Sequence, residues 1–505
     1  MTLTVRLLNA TLVVIALMAS LSCGGIGAIP PAQPTTQVAF LSMNAVDTAV
    51  KAAAASVSEP LVIAVVDRSG NILAIYHKAG APTTAIGNFG AVVSADELAV
   101  GLARTAAFFT NNQAPLSSRT VRFISGIHFP PGVSNTPSAA LYGIENTNRG
   151  CGFNVTLKLI PPARSIDNTT TGLGVITGKA DAFDSDPTAV NPGGVPLFAG
   201  GEAVGGIGVV AARSDVAEFA AFIAAGGLPL VLSLPPPGAV LIDGIALPFV
   251  AQMTQPAGTS TGAADGTYVL GPTASPGPVP EGDLVVAHSG PLGGLTAAEV
   301  QKIVDQAIAT ANQTRAVIRL PLGQRARMVI AVVDLDGTLL ALNRMPDATV
   351  FSIDVAVGKA RNMVYFNSAG VSPQDLPGVP VGTALTNRTI SFGAQPLFPS
   401  GIDGSQAGPF FPLYVNDIAH PCTQGSQPAN ANQNGIVFFP GSEGLYRNGK
   451  LIGGLGVSGD GVEQDDFVTA GGASGFEPPA NIRADQVLIR GVRLPYLKFP
   501  RNPTQ

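Results

Sequence analysis

Residues 62–67 read Val-Ile-Ala-Val-Val-Asp, and residues 329–334 read Val-Ile-Ala-Val-Val-Asp again. Each apolar, β-branched run ends in an Asp/Gly turn, Asp67-Arg68-Ser69-Gly70 in one place and Asp334-Leu335-Asp336-Gly337 in the other. A second apolar run follows, so each stretch predicts a β-hairpin. The echo continues outward. Ala99-Val100-Gly101-Leu102-Ala103-Arg104 answers Ala356-Val357-Gly358-Lys359-Ala360-Arg361. Gly205-Gly206-Ile207-Gly208-Val209 answers Gly453-Gly454-Leu455-Gly456-Val457, and Val240-Leu241-Ile242-Asp243-Gly244 answers Val487-Leu488-Ile489-Arg490-Gly491. Four matched segments in one order predict a tandem duplication with a period of about 250 residues, long enough for each copy to bury its own core. The function then resides in two similar, nonidentical sites or in one site between them.

Helices flank the hairpins. Thr296-Ala297-Ala298-Glu299 is a capping box, and Val300, Ile303, Val304, Ala307, Ile308 and Ala311 follow on one helical face. Copy 1 has a weaker version in Val46, Ala49, Val50, Ala53 and Ala54. After the hairpin, Ile353, Val357, Ala360 and Val364 share the face of a second helix. Gly101 and Gly358 sit inside its two versions, where glycine costs about 1 kcal/mol relative to Ala; close packing against another backbone is the expected reason. Copy 1 carries an extra Gly/Ala/Ser/Thr-rich loop within 79–96. The stretches 110–192 and 367–440 are long, polar and rich in Pro and Gly, as functional loops are. A second hairpin closes each core, with Asn448-Gly449 as a type I′ turn in copy 2 and Gly200-Gly201 in its place in copy 1. This order predicts an α+β fold in two domains, each an antiparallel sheet with helices packed on one face, plus long loop insertions. The expected boundaries are 40–252 and 292–499, joined by a linker over 253–291.

Composition narrows the function. Hydrophobic residues make up 46% of the chain, enough for two cores, and charged residues only 12%. Gly 60 and Pro 42 make about a fifth of the chain, below the roughly 25–30% of low-complexity disorder. The net charge of −5 and the lack of a Lys/Arg cluster exclude a nucleic-acid partner. Residues 1–23 read as an export signal: Arg6 precedes a mostly apolar run from Leu7 to Leu21, too short for a membrane span. Cys23-Gly24-Gly25 follows an imperfect lipobox, so a lipid anchor at Cys23 and a plain cut near Ala28 are both open. The expected place is outside the cytoplasm: periplasmic, anchored to an outer membrane or extracellular. No later stretch reads as a transmembrane span. Cys151 and Cys422 each follow a Leu-Tyr pair, Leu141-Tyr142 and Leu413-Tyr414, at equivalent places in the copies. In an exported protein they either pair as a disulfide or remain buried thiols.

The strings "VIAVVDLDGTLLAL", "RMPDA", "SIDVAVGKAR" and "LYRNGKLIGGLGVSGDGVEQDD" of copy 2 resemble the GlcG/HbpS-like family, also called the haem-degrading domain family. Copy 1 is similar in its hairpins and helix but has Ala211-Ala212-Arg213-Ser214-Asp215 where the Gly-Asp-Gly signature stands. The resemblance covers the cores and not most of the long loops. It implies a profilin-like α+β domain, assembly into homo-oligomers, and haem or a related planar tetrapyrrole as cofactor in some members. The family's iron ligands lie outside its signature string, so none transfers to a numbered position.

Candidate residues follow from chemistry. His77 ends the first hairpin, where copy 2 has Arg344; a His there could hold haem iron and an Arg a propionate, or both could be loop residues. Met345 and His128 are further candidate iron ligands. Arg104 and Arg361 occupy equivalent helical positions and serve either as an anion clamp or as a buried helix-to-loop bond. Asp460, Asp465 and Asp466, with Glu463, either bind a cation or polar ligand edge or form the acidic first turn of a helix. Phe129, Phe398, Phe410 and Phe411 could wall a haem. Four His without a pair at ligand spacing exclude a zinc hydrolase. The leading reading is an exported haem- or tetrapyrrole-binding protein. The rivals are an enzyme acting on haem or a small oxidised metabolite, and an assembly module of the cell envelope.

Overall fold

The structure is a computed structural model of the chain. It describes residues 39–87, 92–143, 192–226, 240–420 and 422–504. The expected signal segment with Cys23, and also Cys151, lie outside the described residues. Ala39–Gln505 form one compact unit.

In the first half the elements run α1 (Met43–Ser56), β1 (Val62–Asp67), β2 (Ile72–His77), β3 (Thr84–Ile86), β4 (Val92–Ser94), α2 (Ala95–Phe109), α3 (Ser118–Phe123), β5 (Gly194–Ala199), β6 (Glu202–Val210) and α4 (Ser214–Ala224). Short strands β7 (Leu241–Ile242) and β8 (Ile245–Ala246) follow, then β9 (Thr267–Leu270). The second half has β10 (Gly282–Val285), α5 (Ala297–Ala311), β11 (Met328–Val333), β12 (Leu339–Arg344), α6 (Phe351–Phe366), α7 (Asn387–Gly393), α8 (Phe411–Ala419), β13 (Ser442–Arg447), β14 (Lys450–Gly459) and α9 (Val462–Gly472). It closes with β15 (Leu488–Ile489) and β16 (Val492–Arg493).

Two five-stranded antiparallel sheets carry the halves. Their orders are β5-β6-β1-β2-β9 and, read from the other end, β13-β14-β11-β12-β10. The hairpins fall where the repeated run places them: Val65 pairs with Ala74, and Val332 with Ala341. Both helices form where their apolar faces were read, though a cap was read only for α5. The Thr296/Glu299 box is reciprocal, and Ser42 caps α1. Asn448 and Gly449 both have positive φ, +51° and +74°, as the type I′ turn requires.

Three expectations are corrected. Helices cover both faces of each sheet, not one. Val62, Ala64 and Val66 pack towards α2, whereas Ile63 and Val65 pack towards α1 and α4. This explains why β1 is apolar at every position through Val66: it has no solvent face. The stretch expected as a linker supplies the fifth strand of each sheet, Tyr268 pairing with Tyr76 and Gly282 with Arg344. The long loops also contain helices, α3 in one and α7 and α8 in the other.

The close backbone approach expected at the helical glycines occurs on the strands instead. A Cβ on Gly208 would stand 1.9 Å from the Ala99 carbonyl oxygen, and one on Gly206 2.1 Å from that of Ala103. In the second half the distances are 2.0 Å from Gly456 to Ala356 and 2.3 Å from Gly454 to Ala360. Gly358 faces the side chains of Val437 and Asn434. The repeated glycines thus let one helix lie directly on the sheet.

The halves share one core. Phe109 stacks on Phe351 with ring centroids 4.2 Å apart, and Val350 N donates to Phe108 O at 3.0 Å. Asn111 Nδ2 donates to Ile318 O at 3.1 Å. Tyr142 and Tyr414, the second residues of the two Leu-Tyr pairs, stack at 5.3 Å.

Candidate functional site

His77 ends β2, where the strand delivers it beside the first turn of α2. Its Nε2 lies 2.5 Å from Asp96 Oδ1, and the imidazole is 30% exposed. An imidazole held by a carboxylate through one nitrogen presents the other in a fixed direction, the usual support for a metal-ligating histidine. Beside it, β3 and β4 form a short hairpin between β2 and α2 of the first half. They expose the cross-strand pair Ile86 and Val92, at 62% and 69%.

The other two candidate iron ligands are engaged. Met345 is buried, and its sulfur accepts the Met328 N–H at 3.4 Å. His128 has Thr136 O 3.1 Å from Nδ1 and Asp403 Oδ1 3.2 Å from Nε2. Among the phenylalanines expected as haem walls, Phe398 and Phe410 are buried, Phe129 packs edge-on against Phe123, and Phe411 stacks on Tyr414.

The arginines have structural contacts. Arg104 Nε donates to Gly70 O at 2.9 Å, and Arg361 Nε donates to Gly337 O at 3.0 Å. The same helix position therefore ties down the same hairpin turn in both halves. Burial lowers both guanidinium groups to about 10, with Glu97 opposing at Arg104 and Asp354 at Arg361. Arg344 is buried against Ala348 O, Pro280 O and Glu281, with its Nη2 2.5 Å from the Ala348 oxygen. None of the three has the exposure that a propionate clamp needs.

The three aspartates lie at the base of α9, and all are buried. Asp460 pairs with Arg319 and accepts the Arg327 N–H at 2.7 Å. Asp465 accepts from Lys359 Nζ at 2.9 Å, and Asp466 pairs with Arg388 and accepts from Gly441 N at 2.9 Å. Burial raises all three carboxyls against the cations beside them, Asp465 to about 7. It lowers Lys359, against the pull of Asp465. A fourth buried acid was not foreseen. Glu443 of β13 accepts from Tyr496 Oη at 2.7 Å, and burial raises it to about 7. Its Oε2, the Tyr446 hydroxyl and Asp465 Oδ1 are buried without hydrogen-bond partners.

The halves differ here. Arg119 and Glu218 repeat the Arg388–Asp466 pair, at 2.6 Å. Lys359, however, stands where the first half has Leu102 and Asp465 where it has Ala217. Glu443, Tyr446 and Tyr496 correspond to Val195, Phe198 and Phe249. The ionisable network belongs to the second half. Comparing the matched segments of the two halves position by position is the signal that would have found Lys359 and Glu443; nothing in the sequence pointed to Asp96 as the partner of His77. Among the described residues, no three His, Cys, Asp or Glu side chains are grouped to hold a metal ion, and no helix is long and apolar enough to cross a membrane. Cys422 is disulfide-bonded.

Residues 295–474 match the model of the family described as "Haem degrading protein HbpS-like". Over 152 residues the chain is 30% identical to the corrinoid adenosyltransferase PduO of Salmonella typhimurium, a match covering 30% of this chain and 33% of that protein. The chain thus spans a third of the length of that curated relative. Among solved structures it is similar to Klebsiella pneumoniae protein ORFY, with 22% identity, a TM-score of 0.23, and coverage of 35% of this chain and 88% of that one. It is also similar to PduOC in its heme complex, with 25% identity, a TM-score of 0.23, and coverage of 35% and 91%. The family match places the resemblance in the second half.

Proposed function

We propose that this chain binds haem or a related planar tetrapyrrole, with His77 as the residue that would hold the iron and Asp96 as the group that orients His77. The family match supports the ligand. The observation that carries the reading to a residue is the His77–Asp96 pair at 2.5 Å, partly open to solvent. Ile86 and Val92, exposed on the short hairpin before α2, would supply apolar contact. The arginines expected at the propionates are engaged elsewhere and take no part in this reading. Haem would supply a redox-active, ligand-binding iron; the chain's residues hold and orient it. Titration of the full chain with haemin is expected to give a sharp Soret shift that saturates near one equivalent. A featureless titration removes the reading.

The remaining parts of the reading are proposed with it. The chain is the product of a tandem duplication, is exported, and carries a Cys151–Cys422 disulfide that a non-reducing mass measurement would register. Turnover of the bound haem is a second reading, favoured by the confinement of Lys359, Asp465 and Glu443 to one half. A time-dependent loss of the Soret band, slowed by Glu443→Gln, would favour it.

A further inference from the structure

The halves also meet through the loops 126–139 and 395–405. Asn135 N donates to Asp403 Oδ2 at 3.0 Å, and Asp403 N donates to Asn135 Oδ1 at 3.1 Å. Ser138 N donates to Ser400 Oγ at 3.2 Å, and Ser138 Oγ donates to Gln395 Oε1. His128 lies against this seam with its side chain 11% exposed. Its Nδ1 is 3.1 Å from the Thr136 carbonyl oxygen and its Nε2 is 3.2 Å from Asp403 Oδ1. Neither neighbour can donate, because a carbonyl and an ionised carboxylate are acceptors only. A neutral imidazole has a single N–H, so one ring nitrogen would point its lone pair at an oxygen. The imidazolium satisfies both contacts. It also gives Asp403 Oδ1 a partner; that oxygen is buried and otherwise without one.

We propose that His128 and Asp403 form a proton-dependent latch between the two halves. With His128 doubly protonated, a charge-assisted hydrogen bond closes the seam. Loss of the Nε2 proton sets a lone pair against the carboxylate and loosens both loops. Other charges do not take over this role. Arg119 of α3 is held by Glu218, Arg388 of α7 by Asp466, and Arg122 is buried within α3. The seam is one-sided: the residue before Phe398-Pro399 is Leu397, where His128 precedes Phe129-Pro130. The latch is independent of the haem reading, since His128 has both ring nitrogens engaged here.

Hydrogen exchange of the two loops in the full chain, corrected for intrinsic rates, tests it at pH 5.5 and pH 8.5. Wild type should lose protection about tenfold at the higher pH, the scale of one charge-assisted hydrogen bond. His128→Gln donates an amide N–H to Asp403 at either pH and should keep protection at both. Asp403→Asn removes the charge and should abolish the pH dependence without unfolding the chain. Equal protection of the wild type at both pH values overturns the latch, as does a pH dependence that survives in His128→Gln.

Discussion

Arg104 and Arg361 show why a retained arginine need not be a ligand. Each is buried and donates to the carbonyl of a glycine with positive φ, so it completes a hairpin turn. Replacing Arg361 by Ala leaves the Gly337 carbonyl without this donor and should cost about 1.5–3 kcal/mol, the range for hydrogen bonds to charged groups. Urea unfolding would read that loss, and haemin affinity should not change. Glu443 makes a pH prediction. Its carboxyl titrates near 7 when folded and near 4.5 when unfolded. Between those values the native state holds a proton that the unfolded chain has released, so Glu443 lowers stability as pH rises from 4.5 towards 7. Glu443→Gln keeps an acceptor for Tyr496 and should flatten that slope. Its melting temperature should rise relative to wild type at pH 8 and match it at pH 4.5. An unchanged slope would show that another group carries the effect.

Among the elements, the glycine-bearing strands carry the sharpest steric prediction. Gly456→Ala would put a methyl 2.0 Å from the Ala356 carbonyl oxygen, a backbone atom that cannot rotate away. Overpacking of this kind typically costs 1–3 kcal/mol, and Gly208→Ala should cost a similar amount; melting temperatures of the two variants check both. The hairpins, the capped helices and the Asn448-Gly449 turn were legible in the sequence because local chemistry determines them. The two-faced sheet was legible too, in the unbroken apolar run of β1, but was read as one-faced. Strands β9 and β10 were not legible. They are short edge strands in a Gly/Pro/Thr-rich stretch, and their pairing depends on the sheets they join. Of the site, His77 was visible as a residue, whereas Asp96 and Glu443 gain their meaning from partners distant in sequence.

At the scale of the molecule, the two sheets repeat one strand order while their interiors diverge. The first half is apolar where the second holds Lys359–Asp465 and Glu443–Tyr496. Because one core cluster runs through both halves, calorimetry should give a single unfolding transition; two resolved transitions would show that the halves are energetically separate. The half-buried His77–Asp96 pair lies in the first half, and the family match lies in the second. The central claim joins them in one haem-binding chain. Parallel haemin titrations of wild type, His77→Ala and His128→Ala test it most directly. The account predicts a Soret shift that saturates near one equivalent in wild type and His128→Ala and is lost in His77→Ala. A shift unaffected by His77→Ala, or none in wild type, would contradict it.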